Sequence, residues 1–460
     1  MEPKSGFVNE DNMAIMTDLY QLTMNGSYHH HGINNDTATF DLFVRKLPKN
    51  RNYLIAAGLE QAIHYLENLK FSDENIEYLR GQELFSEDFL EDLKGFKFTG
   101  DVYAVPEGTV VFGNEPLLRI TAPRNEVQLV ETYLLSIINH QTMIASKASR
   151  IVESAGENSV VDFGTRRAHG PGAAVKGARA CYIAGCVGTS NVLAGKEFGI
   201  PIFGTMAHSY IMSFDSELEA FRAYSHTFRD KSVLLIDTYD TIEGAKNAVI
   251  VGKELERQGH KLKGVRLDSG DLADLSKKVR KIFDEAGLEY VNIVASNDLN
   301  EYKIKKLRKE GARIDSYGVG TEMITSKDAP AISGVYKLSE HRNKKGNLVA
   351  KIKLSENKNT LPGRKQVYRV HDDGYFVKDI IALEDENISN NPLLVKVVEN
   401  GLRCSDLPPL PEIQKRALGQ VKRLPLEYLQ DATYPVEVSE KLETLTKDII
   451  KQCRGKNEIK

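Results

Sequence analysis

Gly264-Val265-Arg266-Leu267-Asp268-Ser269-Gly270-Asp271, running at Leu272 into an apolar stripe, is the stretch that decides the fold. Val265 and Leu267 make a short apolar run, and a polar, glycine-containing cluster follows. Leu272, Leu275, Val279, Ile282, Phe283 and Ala286 then recur on one helical face, with Lys277, Lys278, Arg280 and Lys281 on the other. Gly287 stands where a left-handed C-terminal cap is required. The same order of apolar run, polar cluster and helix repeats through residues 150–335. Its other runs are Val160-Val161, Pro201-Ile202-Phe203, Val233 to Ile236, Val291 to Val294 and Ile314 to Val319. Apolar residues on consecutive positions fit strands covered on both faces. Helices are read near 243–257 and 299–309, the second capped by Asn297 or Asp298 and closed at Gly311.

A period of roughly 25–30 residues is that of βα units in a parallel sheet. Six or seven such units predict an α/β fold built on an irregular, TIM-like barrel. The barrel is expected to be incomplete, because a full eightfold one takes about 250 residues. No Gly-x-Gly-x-x-Gly opens a helix, which argues against a dinucleotide fold. The flanks read differently. Residues 40–150 mix helical segments (54–69, 126–149) with strand-like pieces (101–105, 109–112), and 335–385 reads as antiparallel β. The expected division is an N-terminal part of an α+β domain (1–150), the catalytic barrel (151–335), a β-rich return to the α+β domain (336–400) and a helical tail (401–460). Leu442, Leu445 and Ile449 mark a packed helix in that tail.

Bulk properties narrow the function. A chain of 460 residues suits two domains, since single cores stop growing near ~250–300 residues. A formal net charge of -3 carries no footprint for nucleic acid or for an anionic membrane surface. There is no run of about 18 apolar residues and no secretory signal pattern at the start, so a cytoplasmic protein is expected. Cys181, Cys186, Cys404 and Cys453 form neither a Cys-x-x-Cys pair nor a zinc set and are read as reduced thiols. His29-His30-His31 cannot all face one ion from a regular element, and no residue is assigned as a metal ligand.

In parallel βα sheets ligands bind at the carboxyl ends of the strands. Those ends are Asp162 to Arg167, Gly188 to Asn191, Gly204 to Ser209, Asp237 to Thr241, Arg266 to Asp271, Ser296 to Asp298 and Gly318 to Glu322. A single cluster of this kind is most simply a turn with a helix cap. Seven in register are not, because caps do not call for Arg166, Arg167, His208 and Arg266. The residue types fit a phosphorylated ligand. Gly318-Val319-Gly320-Thr321 offers N–H groups and a hydroxyl to phosphate, the arginines can fork onto phosphate or carboxylate, and the aspartates can bind hydroxyls or water-bound Mg²⁺. His208 follows a buried run and sits between Thr205 and Ser209; an acid/base, nucleophilic or phosphate-contacting role stays open for it.

Met16 to Thr23, Asp162 to Arg167, Gly204 to Ser209, Gly264 to Leu272 and Gly318 to Thr321 occur in this order, with Thr360-Leu361-Pro362-Gly363 further on. Together they resemble nicotinate phosphoribosyltransferase, a type II phosphoribosyltransferase, from about residue 12 to about 370. The resemblance implies transfer of the 5-phosphoribosyl group of phosphoribosyl pyrophosphate to nicotinate, giving nicotinate mononucleotide and pyrophosphate for NAD salvage. It implies ATP and Mg²⁺ as cofactors, with transient phosphorylation of His208 coupling ATP hydrolysis to the transfer. Tyr20, Thr205, Arg266 and Phe163 match nicotinate-binding residues. Thr321 matches a phosphoribosyl contact, and Gly320, Arg166, Asp268 and Ser296 are expected beside it. A homodimer with a shared active site is implied, Tyr20 reaching in from the partner. The nicotinamide-using relative carries Asp in its Gly-Thr-Asp segment; Ser190 stands there, and a serine does not repel a substrate carboxylate. A quinolinate-decarboxylating relative needs a larger basic pocket for two carboxylates and no ATP-phosphorylated histidine, and a non-catalytic barrel binding a phosphoribosyl ligand is disfavoured by His208 and the acidic strand ends.

Overall fold

The computed structural model describes residues 6–343, 345–355, 359–430 and 432–457. The chain divides into two compact units. One is built from the chain up to Met143 and from Ala331 onward, the other from Ile144–Pro330, and the boundary falls within the helix Glu131–Ala155.

The 144–330 unit holds a six-stranded sheet in the order Gly188–Thr189, Ser159–Asp162, Ser316–Val319, Asn292–Ala295, Gly264–Leu267, Val233–Leu235. All its pairings are parallel. Leu234, Val265, Ile293 and Val319 are fully buried, as strands covered on both faces require. Asp240, Asp271 and Asn300 cap the helices Thr241–Arg257, Leu272–Glu285 and Glu301–Lys309, each side chain accepting from backbone N–H groups. Asn297 and Asp298 are thus not the caps; both adopt positive φ, at 98° and 45°.

The expected barrel is not seen as a closed sheet. Among the described residues the edge strands Gly188–Thr189 and Val233–Leu235 do not pair with each other. The reason lies in the Pro201-Ile202-Phe203 run. It is exposed rather than doubly covered, Pro201 has no N–H for a ladder, and Ile202 makes a single parallel bridge to Thr189. After it the chain turns into the helices His208–Met212 and Glu217–Phe228 without another strand. The α/β alternation stands; closure needs a strand that this segment does not supply.

The other unit centres on a seven-stranded antiparallel sheet ordered Leu348–Ala350, Gly334–Arg342, Thr37–Val44, Pro116–Pro123, Asp101–Ala104, Val395–Glu399, Leu402–Arg403. Thr37–Val44 is an interior strand of it, with Phe40 opposite Leu338 on one side and Ile120 on the other. Residues 54–69 are not one helix. Leu54–Ile55 pairs as a strand with Val110–Val111, and Gly58, at φ 102°, starts the helix Leu59–Asn68. A three-stranded sheet of Lys365–Asp372, Tyr375–Leu383 and Val436–Val438 packs Val367 and Ile381 against Leu442 of the helix Glu440–Asn457.

This unit buries charge. Arg369 donates to both carboxylate oxygens of Asp379, at 2.9 and 2.5 Å, and to the Val110 carbonyl at 2.8 Å. Its guanidinium lies 4.4 Å from the centre of the Phe376 ring. Glu115 stands beside Asp379, and one of its oxygens accepts from the Phe112 N–H at 2.8 Å. Burial, with Asp379 next to it, holds the Glu115 carboxyl well above the usual range. A folded value above the unfolded one means a contribution complete below the ordinary carboxyl range and lost as pH rises through the folded value. Glu115→Gln is therefore expected to flatten the fall in melting temperature as pH rises above the ordinary carboxyl range. Calorimetry of both proteins across that window checks this, and an unchanged slope rejects it.

Candidate active site

The carboxyl ends of the parallel strands enclose a polar cavity of about 490 Å³. Nine residues singled out from the sequence line it: Phe163, Arg166, Thr205, His208, Arg266, Asp268, Ser296, Gly320 and Thr321. Ser190, Arg167, Asn297, Asp298 and Gly318 complete much of the wall. Parallel register is what brings them together. Asp162, Leu267, Ala295 and Val319 end neighbouring strands, so the clusters after them open on one side. Tyr20 lies in the other unit, in the first turn of the helix Leu19–His30, and is 48% exposed. A second cavity, about 290 Å³, lies in that other unit around the Asp41–Lys365 ion pair. None of the strand-end clusters reaches it, so the chemistry belongs to the polar one.

Arg266 occupies the wall of the polar cavity in a fixed pose. Its guanidinium donates to Thr205 Oγ1 at 2.6 Å and to the Met206 carbonyl at 3.2 Å, and lies 3.7 Å from Asp268. Burial lowers its pKa, against Asp268 and Asp237, which favour the charge. Nε is buried without a partner. The group is partly desolvated and only partly satisfied, and an anionic ligand would relieve that.

Asp268 is shared. It bonds the Ser296 hydroxyl through Oδ1, faces Arg266, and has Oδ2 3.9 Å from His208 Nε2. Asp237 holds it in place, accepting from the Asp268 N–H at 2.9 Å and the Ser269 hydroxyl at 2.6 Å with one oxygen. Thr238, the next residue, lies 3.1 Å from His208 Nδ1. The sequence offers Asp237 only as a binder of hydroxyls or water-bound Mg²⁺ and gives Thr238 no task; the signal for both is the position directly after the Val233 to Ile236 run.

Below Phe163, Asp162 is fully buried and accepts from the Gly164 N–H and the Thr189 hydroxyl at 2.8 and 2.7 Å. Burial raises its pKa, and those two donors oppose the shift. Its carbonyl takes the Ser190 N–H, which ties the Phe163 turn to Ser190. Asn297 and Asp298, in consecutive left-handed conformations, form the strained rim after Ser296. No periodicity announces that strain.

The arrangement is a cup with a forked cation, an aromatic face, a histidine beside a carboxylate, and a turn rich in hydroxyls and N–H groups. It suits a flat aromatic anion together with a phosphorylated sugar. Comparison with known proteins gives the same answer. Residues 15–139, 158–375 and 387–446 match the N-terminal domain, the family and the C-terminal domain descriptions of nicotinate phosphoribosyltransferase. The chain is 44% identical to a nicotinate phosphoribosyltransferase of Mycobacterium tuberculosis, over 93% of this chain and 92% of that one. It is 43% identical to the nicotinate phosphoribosyltransferase of Bacillus subtilis, over 94% of each. The crystal structure of the human nicotinic acid phosphoribosyltransferase superposes with a TM-score of 0.85 at 29% identity, covering 94% of this chain and 99% of that one. Identity at this level along nearly the whole length, on a cavity of this composition, places the chain in the nicotinate phosphoribosyltransferase family, as an enzyme of that type.

Proposed function

We propose that the protein transfers the phosphoribosyl group from phosphoribosyl pyrophosphate to nicotinate, coupled to ATP hydrolysis through a phosphorylated His208, as a step of NAD salvage. The observation that carries this reading is the convergence of Phe163, Arg266, His208 and Thr321 on one cavity. Nicotinate is planar and anionic. Phe163 offers it a ring face, Arg266 forks onto its carboxylate, and Thr205 holds Arg266. Gly320 and Thr321, with Arg166, receive the ribosyl phosphate, and Asp268 and Ser296 bind ribose hydroxyls. The pyridine nitrogen attacks the ribose C1 and the bond from C1 to the pyrophosphate oxygen breaks, so that step asks the protein only for positioning and charge stabilisation. Ser190 in the wall, in place of a carboxylate, favours nicotinate over nicotinamide.

His208 has a separate task. A ring nitrogen attacks the γ-phosphorus of ATP, ADP leaves, and water later takes the phosphoryl group. Among the described residues no cluster of three or more His, Cys, Asp or Glu forms a metal cage. Asp237, with one buried oxygen unpartnered, and Asp268 fit a Mg²⁺ that keeps its waters and substrate phosphates. When bound it would neutralise phosphate charge. The exposed Leu19 and Tyr20 are available to a second copy of the chain, consistent with a dimer whose partner contributes Tyr20 to the ring slot.

Incubation with labelled ATP tests the coupling. Wild-type protein is expected to give an acid-labile phosphate mapping to His208, and ADP release when nicotinate and phosphoribosyl pyrophosphate are added. His208→Ala is expected to lose both while keeping its circular dichroism spectrum. Phosphoenzyme persisting in that variant would sink the assignment.

A further inference from the structure

Gly318 lies in the strand Ser316–Val319, outside the left-handed region, so its backbone does not call for glycine. The space around it does. A Cβ at this position would stand 2.5 Å from Cε2 of the Phe163 ring. Carbon atoms settle at about 3.5–4.0 Å, so the ring would have to move by about 1 Å. Phe163 is held across the end of this strand. Its ring covers Gly318, its N–H donates to the Val319 carbonyl at 2.8 Å, and on the other side the carbonyl of the preceding Asp162 accepts from the Ser190 N–H at 2.8 Å. With its backbone pinned on both sides, only the ring can yield. Phe163 and Gly318 both line the polar cavity.

We propose that Gly318 is a positioning residue for substrate: its missing side chain is the seat that keeps the Phe163 ring low enough to leave a slot for a planar six-membered aromatic acid. This separates Gly318 from the phosphate role expected of the whole glycine turn, which stays with Gly320 and Thr321. It rests on the reading of Phe163 as the ring platform. A methyl group on Gly318 lifts the ring into the slot. The ring touches the base in ground state and transition state alike, so the effect falls on KM for nicotinate rather than on kcat.

The test is a double-mutant cycle with Gly318→Ala, Phe163→Ala and the pair, reading nicotinate KM and kcat at saturating phosphoribosyl pyrophosphate together with the melting temperature. Gly318→Ala is expected to raise KM by about tenfold with kcat within about threefold. In the Phe163→Ala background the same change is expected to be silent, because nothing is left to displace. If Gly318→Ala alone folds poorly, the double variant is expected to recover the melting temperature of Phe163→Ala. Multiplicative effects, a silent Gly318→Ala, or no recovery overturn the proposal. Phe163→Ala raising KM while Gly318→Ala does not rejects the seat and keeps the platform. Phe163→Ala leaving KM unchanged rejects the platform and the seat with it.

Discussion

Arg266→Ala is expected to lower kcat/KM for nicotinate by about a hundredfold to a thousandfold, the range for truncating one partner of a desolvated, hydrogen-bonded charge pair. The guanidinium is largely covered and charged, with Thr205 and the Met206 carbonyl taking one arm. Nothing else in the cavity wall is placed to fork onto a carboxylate in the same way; Arg166 and Arg167 are exposed. Arg266→Lys is expected to recover little, because an ammonium cannot make two parallel bonds while Thr205 takes a third. Nicotinamide has no carboxylate to lose, so the preference for nicotinate over it should collapse in both variants. Steady-state kinetics with the two bases measure this. A nicotinate KM within threefold of wild type in Arg266→Ala would remove Arg266 from the ligand.

Arg369→Met is expected to cost about 3–5 kcal/mol, the range for removing one partner of a buried ion pair. The loss is not that of a single contact. Asp379 is fully buried and would keep the Tyr434 hydroxyl, at 3.1 Å, and the equally buried Glu115 carboxyl, but no cation among the described residues. The Val110 carbonyl would lose its donor as well. Hydrogen exchange on the strands Lys365–Asp372 and Tyr375–Leu383 reads the effect where it falls. Arg369→Met combined with Asp379→Leu is expected to regain most of the protection, since the pair is then replaced by apolar packing. Protection lost by less than about 1 kcal/mol in the single variant would show that the charge is not buried as described.

The sheet that carries the site was readable because parallel βα units repeat a local pattern. The helix read at 272–286 is Leu272–Glu285, and Gly287 and Gly311 have the left-handed φ that their places after helices required. The runs at Val160, Val233, Val265, Val291 and Ile314 are strands or abut them. The run at Pro201 failed because hydrophobicity alone does not distinguish a covered strand from an exposed segment with no ladder. Thr37–Val44 is not legible locally, although it is an interior strand of the largest sheet. Its partners lie up to about 300 residues away, and no local period reports such pairing. The site shows the same division. Its lining follows from strand ends, which are local. The hold of Asp237 on Asp268 and the seat of Phe163 on Gly318 are contacts between units of the repeat, which spacing does not encode.

The interior strand Thr37–Val44 also has a consequence in time. Thr37–Val44 leaves the ribosome early, whereas Gly334–Arg342, which covers one of its two edges, follows almost three hundred residues later. At about 5–20 residues per second that is a wait of roughly 15–60 s. Pro116–Pro123 arrives much sooner and covers the opposite edge. During the wait the strands of residues 144–330, which pair only among themselves, can be completed. The nascent chain is thus expected to carry a half-built antiparallel sheet with an open edge while residues 144–330 are made and folded. That edge is a template for pairing with other chains, and its protection during translation becomes part of how this enzyme reaches its native state.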